Sequence, residues 1–456
     1  MKLYLEFLCL FLLCFSPQLF ANSSGANRNL TEIHKYIDET GFNGAVLVSK
    51  NDKLIIEEYF GYADFQKTTK LTRKHLFSPG SVGKEFTTVG IMLLEEQGRL
   101  SYEDKISTFI DGLPEWAKTI TIHHILSHTS VFQKAASYGS ADAPYNYVPM
   151  FDEVSGLLHA VDLAICHLET PISSDNKDLT GYPLFNAPRE LAGDLVAVGY
   201  DGCSTASNHS MDRRASGVIS TINQLESAGL KWSGMARTES EGVVPTIYQA
   251  NGIKIAHLSY TYGLNGFTLP VNQPYLVNEI DLTEILVEAR HARGLGADFI
   301  IVSLQWGNEY QSEPSKEQKE LAEVLLNDPD VDLIVGTHVH VVQPIGTFNG
   351  KPVIYGLGNF LSNQSANCCP EESQNGVMAF IEISGHKGEA HRVTEISVIP
   401  TRVNRADFTI VVLPEALKNT ELSNYVRSVY LAAMENTLAV INAIDDIYQL
   451  EDQLGQ

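Results

Sequence analysis

Phe299-Ile-Ile-Val-Ser-Leu304 runs into Gln305-Trp-Gly-Asn-Glu309, and Leu333-Ile-Val-Gly336 runs into Thr337-His-Val-His340. Each is an apolar run of strand length, the pattern of a strand buried on both faces, and each ends in polar residues. Two similar runs come earlier, Leu163–Leu168 and Gly202–Ala206. Helical patterns stand between them at Arg189–Val198, Ser216–Ala228, Leu282–Leu295 and Lys316–Leu326. Apolar strands alternating with helices predict an α/β domain built on a mostly parallel sheet. Asn251-Gly252 and Asn349-Gly350 each join alternating apolar runs and read as hairpin turns. Val377–Ile383 and Val393–Val398 add antiparallel strands, and residues 405–456 read as a helical, peripheral extension.

The rest of the chain sets bounds on this domain. A length of 456 residues leaves room for a second one. A formal charge of −23 argues against nucleic acid, which calls for a clustered basic face. Met1-Lys2, the apolar run Leu3–Phe20 and the small Ala21 resemble a signal peptide over residues 1–21, placing the protein in the cell envelope or outside the cell. An uncleaved membrane anchor is the alternative. Cys9 and Cys14 would leave with that peptide. Cys166 and Cys203 lie in apolar runs and read as small buried residues; Cys368-Cys369 lies in a loop.

Polar residues recur where the predicted strands end, the edge at which open α/β sheets hold ligands. They are Glu169, then Asn208-His209 with Asp212 one turn on, then Gln305 and Glu309, then His338 and His340, then Asn359 in a glycine-flanked turn. Imidazoles with carboxylate and amide oxygens suit Zn, Mn or Fe. In an extended His338-x-His340 both rings fall on one face. A lone strand-end histidine is more often a satisfied structural group, but a set of polar residues along one sheet edge reads as a shared site.

His167-Leu-Glu-Thr-Pro171, Ser207-Asn-His-Ser-Met-Asp212, Gln305-Trp-Gly-Asn-Glu-Tyr310, Gly336-Thr-His-Val-His-Val-Val-Gln343 and Tyr355-Gly-Leu-Gly-Asn-Phe360 together resemble the bacterial capsule-synthesis family CapA (PgsA) over about residues 131–404. The resemblance implies a calcineurin-like metallophosphatase-type layered sheet and a role with poly-γ-glutamate capsules. It implies Glu169, Asn208, His338 and His340 as ligands of a divalent metal, with His209 and Glu309 in catalysis. Asn359 and Asp212 would meet the substrate. The implied partners are an envelope polymer or its precursors and capsule-synthesis membrane proteins. Two positions depart from the family. His123-His-Ile-Leu-Ser-His128 stands in register with an expected Gly-Asp-x-x-x-His strand, so His124 replaces a carboxylate; His124 and His128 become substitute ligands. Gln305 stands where a histidine often precedes Trp-Gly and offers only a neutral amide oxygen.

Residues 30–130 carry a different pattern. A short amphipathic helix at Leu30–Glu39 precedes a hairpin-like pair, Gly44–Lys50 and Leu54–Phe60. Ser81-x-x-Lys84 puts a hydroxyl and an amine on one helical face, an arrangement for an activated serine. Phe77-Ser-Pro-Gly-Ser-Val-Gly-Lys-Glu-Phe86 and Ile120-Thr-Ile-His-His-Ile-Leu-Ser-His-Thr129 resemble the start of the serine β-lactamase and penicillin-binding-protein family, here truncated. That family also needs a Tyr-x-Asn element and a Lys- or His-Thr-Gly strand. Neither follows, and Tyr145-Asn146-Tyr147 has the wrong order. Residues 120–130 therefore carry two instructions, a helix start from one family and a first strand from the other.

Three readings result. The first is a capsule-synthesis envelope protein, metal-dependent hydrolase if active. The second is a serine hydrolase using Ser81 and Lys84. The third is a non-catalytic envelope scaffold on the same fold.

Overall fold

The computed structural model describes residues 42–444, apart from 52, 65–66, 77–82, 114, 127–128, 365–367 and 386–389. The expected signal peptide, the Leu30–Glu39 helix, Ser81 and His128 lie outside the described residues. The chain divides into two units, Met1–Thr87 and Thr88–Gln456.

In the first unit β1 (Gly44–Lys50) pairs antiparallel with β2 (Lys53–Phe60), the hairpin read from the sequence. Asn51 supplies the left-handed turn residue at φ 51°.

The second unit is a layered α/β domain. Its strands are β3 (Ile165–His167), β4 (Gly202–Ser204), β5 (Lys231–Ser233), β6 (Thr246–Ala250), β7 (Ile253–Thr261), β8 (Phe299–Gln305), β9 (Leu333–Thr337), β10 (Ile345–Phe348), β11 (Lys351–Ile354), β12 (Asn375–Ser384), β13 (Arg392–Val403) and β14 (Ile410–Val412). A six-stranded sheet has the order β10-β11-β9-β8-β7-β6. Its four central strands are parallel, and β6 and β10 add antiparallel edges. β8 is buried at every residue, which is why its sequence is continuously apolar rather than alternating. Both Asn-Gly turns form as expected, with Asn251 and Gly252 at φ 46° and 84° and Asn349 and Gly350 at 52° and 74°.

One face of this sheet packs on helices Leu282–Gly294 and Lys316–Asn327 through Ala289, Ile300, Val302, Leu304, Ala322 and Leu325. Both helices have capped starts: Asp281 accepts from Thr283 and Glu284, and Ser315 with Gln318 forms a capping box. Two smaller sheets complete the layers, a parallel one ordered β3-β4-β5 and an antiparallel one ordered β12-β13-β14. β3 and β12 share their cores. Leu163 and Ile165 bury with Ile381 and Ile383, while Cys166 and Leu168 bury with Met378 and Phe380.

The conflict over residues 120–130 resolves towards helix: Ile122–Leu126 and Ser130–Ser137 are both helical. Ile120 and Ile122 bury against Ile106 and Ala117 in a cluster of their own, and that local packing decides the outcome. The C-terminal extension is not peripheral. Phe408, Ile410 and Val412 are buried in the same core as Met150 and Val154, because β14 pairs with β13.

The cysteines also differ from expectation. Cys166 and Cys203, aligned across β3 and β4, form a disulfide rather than a pair of small buried thiols, and Cys368 is bonded to Cys369.

Candidate functional site

The parallel strands end at one edge, and the chain leaving each of them brings a polar residue there. Glu169 follows β3, Asn208 and His209 follow β4, Gln305 closes β8, and His338 and His340 follow β9. Gly336 is required for this arrangement. A Cβ at that position would lie 1.9 Å from the Tyr355 carbonyl oxygen and 2.4 Å from Trp306 Nε1, which donates to that same carbonyl.

Glu169 is the hub. Its Oε1 stands 3.8 Å from His340 Nε2 and 4.0 Å from His209 Nε2. Burial works to raise its pKa, but His340, His209, His167 and His338 together hold the carboxyl below its usual value. No lysine or arginine is among the groups acting on it.

His209 is held from behind. Its Nδ1 lies 2.8 Å from Asp212 Oδ2, which also accepts the Phe185 N–H at 2.7 Å. Burial disfavours the imidazolium, yet the Asp212 hydrogen bond and the carboxylates of Glu169, Asp212 and Glu309 outweigh it and leave His209 above the ordinary imidazole range. The Phe185 ring stands edge-on to His209 at 4.6 Å. Asp212 was expected at the substrate. Its side chain is fully buried, with Oδ2 engaged by His209 and Phe185, so it positions the histidine.

His338 and His340 depart from the extended geometry read from the sequence. β9 ends at Thr337, and both histidines take left-handed backbone, φ 92° and 59°, strain of the kind found at functional turns. Their rings lie 6.2 Å apart. His340 is oriented by Asn359, whose Oδ1 lies 3.0 Å from Nδ1 and whose Nδ2 donates to Ser373 O and Gln364 Oε1. His338 lies against the Tyr262 ring, 4.4 Å away, and burial pushes it down to about 4. Its Nδ1 is buried without a hydrogen-bond partner.

Asn208 and Gln305 turn towards each other. Asn208 N donates to Gln305 Oε1 at 2.8 Å, and Gln305 Nε2 donates to Asn208 Oδ1 at 2.7 Å. Thr261 Oγ1 donates to Gln305 Oε1 at 2.6 Å, and Gln305 Nε2 also reaches Ser207 Oγ at 3.0 Å. Ser207 Oγ donates to Asn208 Oδ1 at 3.2 Å.

His124 sits in the helix Ile122–Leu126, its Nδ1 accepting the Thr121 N–H, and it is not among the histidines acting on Glu169. Lys84 lies in the helix Gly83–Glu96. Glu309 acts electrostatically on His209, Tyr262 and Tyr310. The sequence reading missed Thr261, Tyr262, Asn265 and Phe185. Thr261 closes β7, Tyr262 and Asn265 follow it, and Phe185 precedes β4, none with a motif of its own; Asn265 Oδ1 accepts from Asn208 Nδ2 at 3.1 Å.

The residues present do not fit the metal centre that the resemblance implies. The carboxylate-bearing strand is replaced by a helix, and the amide oxygens of Asn208 and Gln305 are engaged in hydrogen bonds. Among the described residues no three His, Cys, Asp or Glu side chains are placed to hold an ion.

Comparison with known proteins shows where the domain belongs. The family model described as bacterial capsule synthesis protein PGA_cap matches residues 121–364, more than half of the chain. This chain belongs to that family. The match encloses every residue of the cluster, from Glu169 to Asn359. The PGA biosynthesis protein CapA of Bacillus subtilis (strain 168) is 29% identical over 240 residues, 51% of this chain and 60% of that protein. A Beta-lactamase model matches residues 31–165, overlapping the capsule match over the stretch that the sequence left in conflict. In that region penicillin-binding protein 4* of Bacillus subtilis (strain 168) is 42% identical over 89 residues, 20% of this chain and 19% of that protein. The chain thus spans less than two thirds of the curated relatives it matches. Among solved structures, calcineurin-like phosphoesterase YfkN of Bacillus subtilis is 15% identical and covers 54% of this chain and 73% of that one, with a TM-score of 0.32. At that level the likeness bears neither on activity nor on fold.

Proposed function

We propose that this chain serves the synthesis or anchoring of a capsule polymer at the cell envelope, meeting the polymer at the Glu169–His209–His340 cluster. The observation that carries the reading is the coincidence of the capsule-family match with the whole cluster. PGA, the polymer in the relative's name, gives poly-γ-glutamate as the polymer class. With Nδ1 held by Asp212, His209 exchanges its proton at Nε2, beside the Glu169 carboxylate. The pair can therefore hold or pass a proton at a bound polymer end. An envelope location and contact with capsule-synthesis membrane proteins belong to the same proposal. Among the described residues no helix is long and apolar enough to cross a membrane. The test is expression of the full chain in a capsule-forming Bacillus that lacks its own CapA. Restored surface polymer supports the reading, and cells that stay bare contradict it.

A second reading rests on the Beta-lactamase match: a serine hydrolase acylated at Ser81, with Lys84 as base.

A further inference from the structure

Gln305 closes β8 at the edge from which His338 and His340 leave β9. β8 and β9 pair in register, setting Gln305 opposite Thr337, the residue before His338. On its other side Gln305 contacts Asn208. A donor at position 305 therefore meets the Asn208 amide, and the residue after its strand partner is His338, whose Nδ1 is buried with no hydrogen-bond partner.

What occupies this place is a closed hydrogen-bond net. Gln305 Oε1 receives the Asn208 N–H and the Thr261 hydroxyl, and its Nε2 gives both hydrogens, to Asn208 Oδ1 and Ser207 Oγ. An amide has two acceptor lone pairs and two donor hydrogens, so the Gln305 side chain is fully satisfied. Its residue is buried, with 1% exposure, so an ion that drew the oxygen away would leave the Asn208 N–H unpaired in a dry interior. A neutral amide oxygen is also a poor exchange for the charge or imidazole that borderline divalent ions favour.

We propose that Gln305 keeps this site free of a divalent ion, so that the cluster works by hydrogen bonding and proton exchange alone. Its partners do the rest: Asn208 is held as a hydrogen-bond partner of Gln305, and Glu169 faces His209 and His340 directly. The inference does not depend on which polymer is bound, because metal binding and polymer restoration are separate readouts.

The experiment uses the full chain stripped with chelator, titrated calorimetrically with Mn²⁺ and with Zn²⁺, and assayed for metal as purified. The unaltered protein is expected to carry no stoichiometric ion and to show no saturable binding. Gln305→His is expected to gain about one ion per chain, a gain lost again in Gln305→His/His338→Ala. Should the histidine variant fail to fold by circular dichroism, the near-isosteric Gln305→Glu takes its place with the same expectation. A stoichiometric ion in the unaltered protein that His338→Ala releases would overturn the proposal. So would a folded position-305 variant that binds no ion.

Discussion

Asn208 and Gln305, almost a hundred residues apart, clasp each other at two points: the Asn208 N–H meets Gln305 Oε1 at 2.8 Å, and Gln305 Nε2 meets Asn208 Oδ1 at 2.7 Å. The clasp ties the turn after β4 to the end of β8 and so joins two sheets at the site edge. Gln305→Ala removes it and strands the Asn208 N–H in the interior. The expected loss is about 1–3 kcal/mol, read as a lower midpoint in chemical denaturation. A midpoint equal to that of the unaltered chain would show that the clasp carries no stability.

The His209–Asp212 pair gives a second prediction. Burial pulls the His209 imidazole down, and the Asp212 hydrogen bond heads the contributions that hold it up. Asp212→Asn keeps the shape and removes the charge. Following the His209 ring by NMR across pH, its titration midpoint should move to lower pH than in the unaltered chain. An unmoved midpoint would mean that Glu169 and Glu309 suffice without Asp212.

His257 gives a pH dependence whose sign is fixed by its burial. Its Nε2 lies 2.9 Å from Ser303 Oγ, its Nδ1 is buried without a partner, and burial lowers it to about 3. An unfolded histidine titrates near ~6.5. The folded value is the lower one, so between the two the unfolded chain takes up the extra proton. Stability from this group is complete above about pH 6.5 and is lost as pH falls towards the folded value. His257→Gln should flatten the acid side of a plot of melting temperature against pH. Equal slopes for the two proteins would refute this.

The serine-type segment predicts a negative result. The sequence after Ser81 contains neither a Tyr-x-Asn element nor a Lys- or His-Thr-Gly stretch, the two elements that serve that family as second base and oxyanion strand. A fluorescent penicillin should leave the chain unlabelled. Labelling that disappears in Ser81→Ala would put the serine hydrolase reading first.

Much of the fold was legible because a parallel sheet writes itself as uninterrupted apolar runs. Phe299–Leu304 and Leu333–Gly336 each fall one residue short of the strands they became, β8 and β9. The hairpin turns were legible for a different reason, since Asn-Gly takes left-handed backbone at low cost. The site was legible only as far as its residues sit next to strands. Glu169, His209 and His340 do, and they meet. Tyr262, Asn265 and Phe185 reach the cluster from loops, where no periodicity marks which side chain turns inward. The use of Asn208 and Gln305 could not be read at all. An amide can ligate an ion or close a hydrogen-bond net, and only the partners across ninety-seven residues decide which. Likewise Ile120-Thr-Ile-His-His-Ile suits a strand or a helix until Ile106 and Ala117 supply its packing.

The most direct measurement is the amount of capsule polymer on Bacillus cells lacking CapA that express either the full chain or its His209→Ala variant at equal protein level. Polymer restored by the unaltered chain and reduced at least about tenfold in the variant, the scale of losing a positioned acid–base group, is the predicted result. Equal polymer from both would contradict a role for the Glu169–His209 pair, and no polymer from either would contradict the capsule assignment itself.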